Sequence, residues 1–219
     1  MSIKIENVEV WGFKGAIRGM RNPMNSWAKS DTIFDDCGQI IKLGPNDADL
    51  MLRLKKAGTD HRKYLRMIHV QCDITAPLYW WKDYDTYKVA TVANSCSTMH
   101  KIHDKEFTMD MFATETLDEA GVEALQKTID YLNLNRKIFN ESGKTDRTAW
   151  YRMIQILPTS YLQKRTVDLN YETLLSIFNA RSNHKLNEFR ELCWVLKIEL
   201  PYIADLFEGR IPKDRMEEE

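Results

Sequence analysis

The run from Leu157 to Arg190, LPTSYLQKRTVDLNYETLLSIFNARSNHKLNEFR, limits the fold more than any other stretch. Pro158 cannot continue a helix, so a helix arriving from upstream must stop at Leu157-Pro158. An extended run, Tyr161 to Asp168, comes next. Asn170, whose side chain can satisfy the free N–H groups of a first turn, opens a helix. Tyr171, Leu174, Leu175 and Phe178 then fall at i, i+3, i+4 and i+7, one apolar helical face. Arg181 lies three residues beyond Phe178, near the end of that stripe, where a guanidinium must find an anion or protein acceptors. A second amphipathic helix carries Phe189, Leu192, Cys193 and Leu196 at the same spacing and closes at Pro201.

Upstream, Ile3 to Trp11 reads as a strand. The segment from Gly12 to Asn46 is polar and glycine-containing and takes no clear element. Asn46 or Asp47 can cap a helix with Leu50, Met51 and Leu54 inward and Gly58 as its stop. A charged connection, Thr59 to Lys63, leads to Ile68, Val70, Cys72 and Ile74, which alternate with polar residues as in a half-buried strand. Asp73 to Trp81 starts like a helix, with Asp73 or Thr75 near the cap and Pro77 in its first turn. Val122, Leu125, Ile129 and Leu132 predict a long helix from Leu117 to Gly143. Asp146 can cap another, with Trp150, Met153, Ile154 and Leu157 inward. The pattern predicts an α+β chain, helices packed on a small mixed sheet.

The length, 219 residues, suits one domain, residues 1–219, with a frayed acidic tail over 212–219. A net charge of −1 gives no global footprint for a nucleic-acid polymer or a membrane surface. No apolar run approaches the roughly 20 residues that span a bilayer, and the N-terminus lacks the apolar block of a signal peptide. Cys37, Cys72, Cys96 and Cys193 are scattered without CxxC spacing, which points to reduced thiols in the cytoplasm. Cys96, His100 and His103 offer only three ligands, so no metal is expected. Asp83 and Asp85 beside Lys82 and Lys88 read as a solvated ion-pair cluster.

In order and spacing, the stretch around Asn170 and Arg181 resembles the C-terminal half of the flavin-dependent thymidylate synthases, the ThyX family. There, a helix ends in Leu-Pro, an extended segment leads to an Asn, and an Arg precedes a helix carrying a Glu. Here Pro158 to Asn170 is 12 residues and Asn170 to Arg181 is 11, matching the family, and Glu188 stands for the Glu. His61 lies, like a family His, in a loop between a helix and a strand. Asn94 and Ser97 keep the spacing of 3 found in the family's Asn-Glu-x-Ser element. The departures are specific. The family's Arg-His-Arg is absent, with Lys82 or Lys88 available to supply a charge. Its Arg four residues before the Leu-Pro proline is Ile154 here, with Arg152 nearby. Its Asn-x-Arg is Asn170-Tyr171-Glu172, a cation turned into an anion.

The resemblance implies a ThyX-like fold, FAD as cofactor and reductive methylation of dUMP to dTMP. A folate would supply the one-carbon unit and NADPH the electrons, in a homotetramer. It implies that His61, Lys82, Asn94, Asn170 and Ser176 contact FAD. Ser97, Arg152 and Arg181 would contact the pyrimidine deoxynucleotide, with Arg181 favouring the ionised base and so acting in catalysis. The alternatives are a nucleotide-binding or scaffold protein on the same fold, or a related one-carbon transfer to another pyrimidine nucleotide. Each residue also has a plain structural role open to it. Arg181 can complement a helix C-terminus, Asn170 can be only an N-cap, Asn94 and Ser97 can cap a turn, and His61 can be a solvated loop histidine.

Overall fold

In the computed structural model, which describes residues 3–214, the chain opens with strand β1 (Lys4–Trp11). Gly12, at φ 98°, turns it into helix α1 (Phe13–Arg21). A Cβ on Gly12 would stand 2.0 Å from the Met67 carbonyl oxygen, so only glycine suits both the left-handed backbone and the close approach. Phe13, Ala16, Ile17 and Met20 form the buried face of α1. This helix lies inside the segment 12–46 that sequence patterning leaves unassigned. Gly15 and Gly19 dilute its helix-forming composition, and a Cβ at either would touch the Met67 side chain.

A hairpin of β2 (Ile33–Phe34) and β3 (Ile40–Lys42) precedes helix α2 (Pro45–Lys56). Asn46 and Asp47 do not cap α2. Their backbone N–H groups donate instead to the Asp31 carboxylate, at 3.0 and 3.1 Å, so the cap arrives from a distant residue. Strand β4 (His69–Pro77) buries Val70, Cys72, Ile74 and Ala76. The helix expected to start at Asp73 or Thr75 therefore begins later, as α3 (Leu78–Tyr84), with Pro77 as its N-cap. The period-two burial runs on to Ala76, and Pro77, having no N–H, suits the junction.

Strand β5 (Thr91–Ser95), the short helix α4 (Thr98–Lys101), the long α5 (Glu119–Glu141) and α6 (Arg147–Ile156) follow. Strand β6 (Leu162–Asn170) and helices α7 (Tyr171–Arg181), α8 (Asn187–Glu199) and α9 (Ile203–Glu208) complete the order. The larger sheet runs β1-β4-β6-β5. The chain is α+β with helices dominant, as the pattern predicts.

Two compact units form. One gathers residues 73–86 and 93–166. Its core holds Phe107, Phe112, Leu125, Ile129, Leu132, Phe139 and Met153. Val122, expected inward, is 39% exposed, because α5 is anchored only from Leu125 onward. Asp118 and Asp146 cap α5 and α6 by accepting from Gly121 and Ala149 N–H, at 2.8 and 3.0 Å. Asp146→Ala should lower unfolding stability by about 1 kcal/mol. A urea midpoint that does not move would remove that role.

The other unit holds residues 5–72, 87–92 and the chain from 167 onward. Here α7 buries Tyr171, Leu174, Leu175 and Phe178, and α8 buries Phe189, Leu192, Cys193 and Leu196, both as the spacing predicts. Asp214 accepts from Leu43 N–H at 2.9 Å and from the Tyr202 hydroxyl at 2.7 Å. The tail expected to fray from 212 is thus held as far as 214, and residues 215–219 lie outside the described residues. No helix among the described residues is long and apolar enough to cross a membrane.

Candidate functional site

Helix α7 organises the site. Asn170 Oδ1 accepts from Thr173 N–H at 3.0 Å and from the Thr173 hydroxyl at 3.2 Å, so the residue is a true N-cap. Its side-chain amide nitrogen donates to no protein group among the described residues, although Asn170 is only 3% exposed. In the same first turn, Glu172 receives a two-pronged bond from Arg62, with Nε at 2.9 Å and Nη2 at 2.8 Å. The position where the resemblance expects a cation is acidic, and a guanidinium reaches it from the loop that follows His61. Sequence spacing cannot find that partnership, because the two residues are 110 positions apart.

At the other end of α7, Arg181 is half-buried. Its Nε donates to the Tyr87 hydroxyl at 3.0 Å. The guanidinium carbon lies 5.0 Å from the Phe189 ring centre and 5.7 Å from that of Tyr87. A hydrogen bond and two ring faces together give this cation a fixed planar orientation. Glu188, beside Phe189 at the start of α8, is buried. Patterning identifies Phe189 as core but gives no sign of Tyr87. The remaining candidates of this unit face solvent: His61 in a turn, and Ser176 on the outer face of α7.

In the first unit, Lys82 is exposed on α3 and Asn94 is exposed in β5. Ser97 caps α4, its hydroxyl oxygen accepting from Met99 and His100 N–H at 3.2 and 3.1 Å. Its own proton stays available as a donor. Arg152 is exposed on α6, beside the buried Met153. Trp80 and Trp81 are fully buried, and the Trp81 indole donates to the Gln163 carbonyl at 2.9 Å, which makes the pair core. Arg165 sits 4.2 Å above the Trp81 ring and pairs with Asp85 at 2.8 Å. The expected ion-pair cluster of residues 82–88 is thereby corrected: among the described residues, neither Lys82 nor Lys88 has a carboxylate within ion-pair distance. Cys96, His100 and His103 are not gathered into a metal-binding group among the described residues.

This element order and sheet define a ThyX-like fold. The chain is similar to Thymidylate Synthase X (ThyX) from Helicobacter pylori with FAD and dUMP. The TM-score is 0.66 and the identity 18%, over 94% of this chain and 97% of that one. A second structure, flavin-dependent thymidylate synthase ThyX from the same organism complexed with FAD and dUMP, gives a TM-score of 0.64 at 18% identity, over 96% and 100% of the two chains. The UMP/dUMP methylase PolB from Streptomyces cacaoi, bound with 5-Br dUMP, gives 0.64 at 12% identity, over 94% of both chains. At these identities the likeness is one of fold. No protein-family model matches the sequence, and no curated protein sequence matches it.

Proposed function

We propose that the chain is a flavin-dependent methyltransferase of thymidylate synthase type, converting dUMP to dTMP. Methylenetetrahydrofolate would supply the one-carbon unit and NADPH the electrons, in a cytoplasmic homotetramer. The observation that carries this reading is the end-to-end likeness to proteins solved with FAD and dUMP and to a UMP/dUMP methylase. The residues present fit a flavin. Among the described residues, Asn170 offers an uncommitted amide donor at the start of α7, and Lys82 and Lys88 are uncommitted cations that can take the place of the missing arginines. Asn94, Ser176 and His61 would complete the flavin contacts. When bound and reduced, the flavin would supply the hydride. Arg181 would stabilise negative charge on the pyrimidine, while Ser97 donates to the nucleotide phosphate and Arg152 adds positive charge.

Specific observations favour a second reading, a nucleotide-binding or scaffold protein on the same fold. The side-chain oxygens of Ser97 and Asn170 are already used in capping, and the Arg62–Glu172 pair neutralises a position where the family carries a cation. A third reading, one-carbon transfer to another pyrimidine nucleotide, draws support from the likeness to the UMP/dUMP methylase. Purification separates the first two. The enzyme reading expects a yellow protein absorbing near ~450 nm, as bound flavin does. A protein that stays colourless after incubation with excess FAD would exclude it and leave the scaffold.

A further inference from the structure

The run from Cys96 to His103 carries two histidines that the proposed chemistry does not use. His100 helps line a cavity of about 440 Å³, together with Met99, Phe139, Lys144, Arg147 and Trp150. That volume falls within the roughly 300–1,000 Å³ of small-molecule sites. All six residues belong to the unit built around α5 and α6.

The aromatic walls are fixed in place. The Trp150 indole donates to the Met99 carbonyl at 3.1 Å, and its ring packs edge-on against Tyr151 at 4.9 Å. Phe139 meets the His103 ring at 5.0 Å. Behind that ring, His103 is 7% exposed, and neither its Nδ1 nor the neighbouring Asn140 Oδ1 has a hydrogen-bond partner among the described residues. The rim is cationic. Lys144 and Arg147 are both exposed, and among the described residues neither is in an ion pair and no carboxylate lines the cavity. Asp146 lies between them in sequence, but its carboxylate is spent on the first turn of α6. Asp104 feels the Lys144 charge, but it is paired with Lys101 at 3.0 Å. The positive charge comes from the two side chains, not from the helix end.

We propose that this cavity binds a planar aromatic anion, with its ring against Trp150 and Phe139 and its acid group between Lys144 and Arg147. Stacking on fixed aromatic faces and two charge-assisted hydrogen bonds supply the affinity. A carboxylate and a phosphate satisfy the same two cations. The site stands whether or not the synthase reading holds.

Calorimetric titration of the full chain with naphthyl phosphate and with naphthoate tests it. Stoichiometric binding of at least one probe is expected. The tighter of the two identifies the acid group preferred. Lys144→Gln and Arg147→Gln should each weaken that probe about tenfold, one charge-assisted hydrogen bond being removed. Lys127→Gln removes the same charge from α5, roughly 18 Å along the helix from Phe139, and should leave affinity unchanged. No binding at millimolar probe, or equal weakening by Lys127→Gln, would overturn the proposal.

Discussion

On the proposed synthase function, Arg181→Ala is expected to cut turnover of dUMP by about 100- to 1,000-fold, the cost of removing one preorganised charge from a developing anion. Nucleotide binding should weaken in parallel. The proposed homotetramer should persist, because the hydrogen bond to Tyr87 and the ring packing of this guanidinium lie within one chain and are individually weak. An exposed cation–ring pair contributes only about 0.5–1 kcal/mol. Arg181→Lys should fail almost as badly, since an ammonium is a point charge without the planar fork that Tyr87 and Phe189 align. Steady-state rates and calorimetric dUMP titration, with sizing as the control for assembly, check both variants. A variant with unchanged affinity and unchanged rate would strip Arg181 of its proposed role.

The largest loss of stability is expected at the Arg21–Asp47 pair. Arg21 is 3% exposed and Asp47 is 0% exposed, and Arg21 Nε and Nη2 both lie 2.6 Å from Asp47 Oδ1. The other carboxylate oxygen accepts from the Ser30 and Thr32 hydroxyls, at 2.9 and 2.7 Å, and from the Asp31 and Thr32 N–H groups, both at 3.0 Å. Asp47→Asn leaves a buried guanidinium without its counter-charge and should lower unfolding stability by about 3–5 kcal/mol. For a domain whose whole margin is about 5–15 kcal/mol, that is severe. Burial pulls the Asp47 carboxyl upward, but the bonds from Thr32, Arg21, Asp31 and Ser30 outweigh it and hold it below the ordinary carboxylate value. The unfolded chain therefore takes up this proton first as pH falls. The pair's contribution is complete above the ordinary carboxylate value and is lost below it, on the way down to the folded value. Denaturant titrations across that acid range should show a stability loss in the native protein that is smaller in Asp47→Asn. Parallel curves would refute the assignment.

Asp47 also marks where sequence reading stops. Just ahead of an apolar-periodic run it looks like a helix cap, and only the packing of α1 against α2 turns it inward toward Arg21. The helices α5, α6, α7 and α8 are legible because their apolar residues repeat at helical spacing, and three of them open on a local capping side chain. Helix α1 is not, although its buried residues have the same spacing, because Gly15 and Gly19 look like loop residues in the sequence.

Candidate functional positions divide in the same way. The intervals from Pro158 to Asn170 to Arg181 are properties of the chain and can be counted. That Tyr87 holds Arg181, that Arg62 answers Glu172 and that Lys144 and Arg147 rim one cavity cannot. By itself the sequence determined the helices α5 to α8, the strand β4 and the fold class, since each is written in local periodicity and spacing. Only the tertiary structure decided which charges are paired, buried or left uncommitted. Electrostatic partners are set by distance in space, and a chain that folds back over 110 positions leaves no trace of that in its local pattern.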